Sequence, residues 1–252
     1  MKSATSAALL AFATGAFAKQ ITVYNGCPFT IWPGLFTGSG AAPSQATGWE
    51  AAAYTAVTFA VPDNWTAGRI WGRRDCDFSS NPGPNSCLSG GCNGGLLCTN
   101  PVSTEGVPPA SLAEFTLDAN GEDYYDVSLV DGANLPIEIT SSTGCHVASC
   151  PVDLGPNCPA ALQGPYDTTG FPLGCKSACY ANLDGNQADS ANCCSGSHNT
   201  AATCPPSGVA YYSYFKDNCP DAYAYAYDES SGTALWTCAT GGDYTVTFCP
   251  PS

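Results

Sequence analysis

The stretch Ser111-Leu-Ala-Glu-Phe-Thr-Leu-Asp-Ala-Asn-Gly-Glu-Asp-Tyr-Tyr-Asp-Val-Ser-Leu-Val-Asp-Gly132 carries the pattern that decides the fold. Residues 111–117 and 124–130 alternate apolar and polar side chains with the period of a strand, and Asn120-Gly121 between them favours a two-residue hairpin turn. The two runs are therefore expected to be antiparallel neighbours. A strict two-residue turn sets Glu114 opposite Val127, on the face of Tyr125, Val127 and Leu129, which buries a carboxylate among apolar side chains. A shift of one residue, through an odd-length loop or a bulge, instead places Glu114 and Thr116 with Asp126 and Ser128, and gives Ala113, Phe115 and Leu117 to the apolar side. The binary pattern favours the shifted register. Asp131 has the opposite parity, but Asp131-Gly132 is a turn signal. Asp131 then either swings past the strand end toward the polar face or serves only to stabilise the turn.

Working outward, further strand patterns lie at Gln20 to Tyr24, Thr30 to Trp32, Ala56 to Val61, Gly68 to Gly72, Leu135 to Thr140 and Tyr244 to Phe248. With 27 glycines and 20 prolines punctuating short apolar runs, the chain reads as all-β. Two Cys-rich stretches, 75–105 and 152–219, lack the strand pattern. The second holds the one good helical candidate, Leu173 to Asn182, where Cys175 and Cys179 fall one turn apart. The expected organisation is a β core from 19–74, 106–151 and 220–252, interrupted by a small stapled lobe (75–105) and a larger one with a short helix (152–219).

Residues 1–18 read as a secretory signal: Lys2, an apolar run from Ala7 to Ala16, and the small-residue cleavage site Ala16-Phe-Ala18. The protein is expected outside the cell or in the cell wall. No later run is long and apolar enough for a membrane span, and no C-terminal anchor pattern is present. In an oxidising compartment sixteen cysteines with no C-x-x-C pair point to disulfides rather than to metal. Loss of Lys2 leaves six basic residues against 21 acidic ones, a net charge of −15 in place of −14. That charge disfavours nucleic acid and anionic membranes, whereas a neutral polysaccharide meets no such repulsion. The two histidines, His146 and His198, are isolated from one another, and no nucleophile-elbow, phosphate-loop or dinucleotide motif occurs. No cofactor is expected. Asn64-Trp-Thr66 is an N-glycosylation acceptor.

Several motifs occur together in one order: Val23-Tyr-Asn-Gly-Cys-Pro-Phe-Thr-Ile-Trp32, Gly68-Arg-Ile-Trp-Gly-Arg73, Gly83-Pro-Asn-Ser-Cys-Leu-Ser-Gly-Gly-Cys-Asn-Gly-Gly-Leu-Leu-Cys98, Leu112-Ala-Glu-Phe-Thr-Leu117, Tyr125-Asp-Val-Ser-Leu-Val-Asp-Gly132 and Tyr214-Phe-Lys-Asp-Asn-Cys-Pro-Asp-Ala-Tyr-Ala-Tyr225. Across the whole mature chain this resembles the thaumatin-like proteins. Asn192-Cys-Cys-Ser-Gly-Ser-His-Asn-Thr200 and the scarcity of basic residues look more like the fungal branch than the basic plant members. The resemblance implies a flattened β-sandwich with two disulfide-rich lobes and eight bridges. They pair Cys27 with Cys249, Cys76 with Cys87, Cys92 with Cys98, Cys145 with Cys238, Cys150 with Cys219, Cys158 with Cys175, Cys179 with Cys193, and Cys194 with Cys204. One departure is Ser89-Gly-Gly-Cys92, where the family usually has Thr-Gly-Asp-Cys.

The resemblance also implies an acidic cleft, which maps onto Arg69, Glu114, Asp126, Asp131 and Asp228, with Asp221 and Glu229 close to the last. Two carboxyl groups across a cleft are what glycoside hydrolysis needs, one protonated and one ionised. Glu114 is the expected acid, because Asp126 and Asp131 would disfavour its ionisation. Asp131 or Asp126 is the second carboxylate, and Arg69 keeps one partner ionised or grips a sugar hydroxyl. Tyr223, Tyr225 and Tyr227 recur at period two and would share a strand face, either stacking on sugar or packing internally. Two function classes stay open: an endo-β-1,3-glucanase acting on fungal wall glucan, and a non-catalytic β-glucan-binding or antifungal protein using the same cleft. A monomer is the expected state.

Overall fold

A computed structural model describes residues 19–80, 82–99, 107–239 and 242–251. Residues 1–18, expected to be a secretory signal, and the end of the 75–105 stretch lie outside the described residues. The strands are β1 (Gln20–Asn25), β2 (Gly34–Ser39), β3 (Ala56–Ala60), β4 (Thr66–Trp71), β5 (Arg74–Cys76), β6 (Cys87–Ser89), β7 (Leu112–Ala119), β8 (Glu122–Ser128), β9 (Ile137–Ser141), β10 (Ala148–Cys150), β11 (Trp236–Cys238) and β12 (Tyr244–Phe248). The single α-helix of the described residues, α1, is Tyr212–Asn218.

Two five-stranded sheets result, ordered β10-β9-β12-β1-β3 and β11-β8-β7-β4-β2, with β5 and β6 as a separate ribbon. The two ends of the chain run side by side, since β1 pairs in parallel with β12, Val23 opposite Val246. The inner faces meet over Ile21, Val23, Phe115, Leu117, Tyr125, Val127, Val246 and Phe248, all buried. Tyr244 of one sheet stands edge-on to Phe115 of the other at 5.5 Å and tilted against Tyr125 at 5.3 Å. The fold is a flattened all-β sandwich. Its bridges join the same eight cysteine pairs that the resemblance implies, with no free cysteine among the described residues.

The hairpin β7–β8 shows how the register arises. Asn120 and Gly121 both have positive φ, 58° and 84°, as a tight hairpin turn requires, and Ala119 sits opposite Glu122 as a strict two-residue turn dictates. Between Ala119 and Thr116 the register then slips. Leu117 and Asp118 together oppose Asp123, a bulge in which Asp118 takes φ 50°. From there Glu114 faces Asp126, and Ala113, Phe115 and Leu117 turn into the core.

Three local expectations are corrected. Residues 173–182 form no α-helix: Cys175 exchanges backbone hydrogen bonds with Ala133 at 2.8 and 2.7 Å, which draws the chain out, and turns follow from Ser177. The helix lies instead at Tyr212–Asn218, where Phe215 is buried in the core. Thr30 to Trp32 makes only an isolated bridge, Ile31 to Ala51. Tyr223 to Tyr227 is no strand, because after a bridge at Tyr223 the chain bends and enters a 3-10 turn at Asp228–Ser231.

Candidate functional site

The outer face of the second sheet carries the polar residues that the slipped register sends outward. Arg69 on β4, Glu114 on β7 and Asp126 on β8 form one row across three adjacent strands, with Phe36 of β2 extending it. A second row runs Trp71, Leu112, Ser128 and Tyr223, the last bridging in parallel to β8. Directly opposite side chains on such rows have Cβ atoms about 4.5–5.5 Å apart, so the charges of the first row must interact. Arg69 Nε donates to Glu114 Oε1 at 2.6 Å, in an ion pair whose side chains are about a quarter exposed.

Above the rows opens a cleft of about 430 Å³. Glu114, Asp126, Asp131 and Glu229 are its acids and Arg69 its base. Tyr124, Tyr223, Val130 and Leu235 contribute apolar wall. Asp131 does reach this face: β8 ends at Ser128, and the Gly132 N–H bonds to Leu129 O at 2.8 Å in a turn. Gly132 has φ 88°, and a Cβ there would meet Cys175 O at 2.4 Å, so the turn has no room for a side chain.

Charge and burial oppose one another here. Asp126 is only 9% exposed, and its Oδ1 has no hydrogen-bond partner. Burial above all, with the nearby Glu114 and Glu229 charges, pushes its carboxyl well above the usual range, against the pull of Arg69. Asp131 is pushed up in the same way, by burial first and Glu114 second. The sequence assigned the disfavoured charge to Glu114. In the structure Glu114 holds the arginine, and the two aspartates are the carboxyls driven toward their protonated form. Tyr223 bonds to Glu229, and its hydroxyl is raised by burial and by Asp126.

Three expected site residues stand elsewhere. Asp228 is 1% exposed and turned inward, accepting from Tyr212 Oη at 2.8 Å and Ala224 N at 3.0 Å and pairing with Lys216 Nζ at 2.9 Å. The fourth acid of the cleft is its neighbour Glu229. Tyr225 is buried, edge-on to Tyr212 at 5.5 Å, and Tyr227 donates to Asn199 O at 2.7 Å. Of the tyrosine stripe only Tyr223 lines the cleft, because the alternation does not rest on a strand. Tyr124, missed in the sequence, was marked by its parity with Asp126 and Ser128. Among the described residues no group of three His, Cys, Asp or Glu side chains is arranged to hold a metal ion, and no helix is long and apolar enough to cross a membrane.

Comparison with known proteins agrees with this architecture. Residues 25–250 match the pattern of the Thaumatin family. Thaumatin-like protein 1a of Malus domestica is 42% identical over 243 residues, covering 95% of this chain and 93% of the relative. A Prunus avium protein named Glucan endo-1,3-beta-glucosidase is 39% identical over 240 residues, covering 94% and 92%. Among solved structures, a GH family 64 laminaripentaose-producing beta-1,3-glucanase from Paenibacillus barengoltzii, complexed with laminarihexaose, shares the fold with a TM-score of 0.53 at 13% identity, over 92% of this chain and 74% of that one. The sandwich, the eight bridges and these matches over nearly the whole length have one meaning: the chain belongs to the thaumatin family.

Proposed function

We propose that the protein binds β-1,3-glucan in the acidic cleft and hydrolyses it as an endo-acting glycoside hydrolase. One observation carries the reading: a carboxylate ion-paired to Arg69 and two carboxyls driven toward protonation share a single cleft. Glycoside hydrolysis needs that division of protonation states. Asp131, the more open of the two raised aspartates, donates a proton to the leaving glycosidic oxygen. Glu114, charged against Arg69, faces the reacting sugar carbon as nucleophile or water-activating base. Asp126 lies beneath them, and in its protonated form offers a hydrogen-bond donor to a sugar hydroxyl. Tyr124, Tyr223 and Leu235 supply apolar wall for sugar rings. The relative named as a glucan endo-1,3-beta-glucosidase supports this choice of substrate.

The test measures reducing ends released from linear β-1,3-glucan, beside a glucan pull-down. Glu114→Gln and Asp131→Asn are each expected to lower hydrolysis about 10²–10⁴-fold, the usual contribution of a positioned acid or base, while retaining glucan binding. Because Asp131 must be protonated and its carboxyl is raised, activity should fall as pH climbs through that raised value. Wild-type binding without hydrolysis would establish the second reading, a non-catalytic β-glucan-binding protein.

A further inference from the structure

Asp228 lies one residue from the cleft yet points away from it, and its surroundings account for that placement. Tyr212 and Lys216 are one turn apart on α1 and so present a hydroxyl and an ammonium on the same helix face. Both reach the Asp228 carboxylate, at 2.8 and 2.9 Å. Tyr212 takes Oδ1, and Oδ2, which faces Lys216, also accepts the Ala224 N–H at 3.0 Å. Lys216 Nζ also donates to Ala222 O at 2.9 Å and to Thr233 O at 3.5 Å, which ties down both ends of the segment 222–233. Ser231 Oγ closes the turn onto Asp228 O at 2.7 Å. The helix itself is anchored by buried Phe215 and by the bridge from Cys219 to Cys150.

This one segment carries Tyr223, Ala226 and Glu229, a whole wall of the cleft. Its backbone touches β8 at one place, where Tyr223 N donates to Val127 O and Leu129 N to Tyr223 O, each at 2.9 Å. Beyond Tyr223 no strand pairing fixes the direction of the chain; side-chain contacts do, with Tyr225 against Tyr212, Tyr227 on Asn199 O and, nearest to Glu229, those of Asp228. A buried ion pair adds little net stability over an apolar replacement, but breaking it leaves a buried charge unpaired, which disfavours other placements of Asp228.

We propose that Asp228 is a positioning residue: with Lys216 and Tyr212 it holds the 222–233 segment so that Glu229 and Tyr223 face the Asp126 carboxyl. The cleft then depends on a charge pair that substrate never touches. This rests on the hydrolytic reading for its effect on catalysis, but not for its effect on the geometry of the cleft. The groups facing Asp126 are Arg69, Glu114, Glu229 and Tyr223, and of these Glu229 and Tyr223 move with the segment.

The experiment is a carboxyl ¹³C NMR titration of the ligand-free full-length mature protein, with Asp126→Asn identifying the Asp126 resonance. In Asp228→Asn the Glu229 charge is expected to drift from Asp126, whose midpoint then falls, the direction expected when a like charge is removed. A folded Asp228→Asn protein with an unchanged Asp126 midpoint overturns the proposal. Tyr212→Phe removes one hydrogen bond and leaves the ion pair. It serves if Asp228→Asn does not fold: a smaller fall is expected, and no fall overturns the proposal. In glucan hydrolysis Asp228→Asn should lower kcat more than it raises KM. If the wild type neither binds nor cleaves glucan, the hydrolytic reading fails, while the titration still decides the positioning role.

Discussion

Asp126 gathers the strongest opposition of forces at a single residue: a carboxyl almost fully buried, one oxygen without a partner, two acids nearby and only Arg69 in its favour. A folded-state pKa raised above the unfolded value of about 3.9 means that the native state binds more protons in the interval between the two. Stability is thus greatest below the unfolded value and is lost as pH rises to the folded one, after which the loss stays constant. Asp131 adds to the same slope. Asp77, Asp167, Asp184 and Asp189 are lowered, chiefly by hydrogen bonds from neighbouring serines and threonines, and act in the opposite sense below the ordinary carboxylate range. Asp126→Asn should therefore be more stable than wild type near neutral pH, and lose less stability between about pH 4 and 7. Guanidinium denaturation across that range checks this, and parallel curves for the two proteins would refute it. The family resemblance named Glu114 and Asp126, and parity along a strand was enough to put them on one face. It could not find Glu229, whose direction depends on Asp228 being gripped from a helix elsewhere in the chain.

At the scale of an element, the β7–β8 hairpin contains two geometries that the sequence treated as alternatives. The tip is a strict two-residue turn, and the slip comes two residues later at a bulge. The bulge is held because the Asp118 N–H donates to buried Asp123 Oδ1 at 2.9 Å, while Asp123 Oδ2 accepts from Tyr244 Oη of the other sheet at 2.9 Å and the carboxylate pairs with Lys19. Asp118 is exposed and sits at φ 50°, where a β-branched side chain is strained. Asp118→Ile should cost about 1–2 kcal/mol and Asp118→Gly much less, measured by the denaturation midpoint. Equal midpoints would mean that the bulge does not constrain this residue. The failed helix at 173–182 belongs to the same scale: its cysteine spacing suited a helix, but Cys175 pairs its backbone with Ala133, a partner distant in sequence.

Over the whole molecule the sandwich is closed where its ends meet, with β1 beside β12 and Cys27 bridged to Cys249 across a sequence separation of 222. Cys92 to Cys98, by contrast, closes a separation of six. If a bridge acts mainly by restricting the unfolded chain, the first contributes about 5 kcal/mol and the second about 2 kcal/mol. Replacing each pair by serines should reproduce that order in the denaturation midpoints, and a larger loss from the local pair would contradict it. The eight bridges suit an oxidising, extracellular setting. What the sequence determined by itself is whatever repeats at the period of a strand or is written in a turn: the sheet-forming runs, the hairpin, its inward and outward faces, and the row of Glu114 and Asp126. Backbone geometry imposes those periods locally, so they survive without knowledge of the partner strands. Only the tertiary structure decided that Arg69 holds Glu114, that Asp126 is left with an unpartnered oxygen, and that Glu229 rather than Asp228 enters the cleft. Those outcomes depend on contacts between residues far apart in the chain, where burial and opposing charge, not local periodicity, set the direction of a side chain.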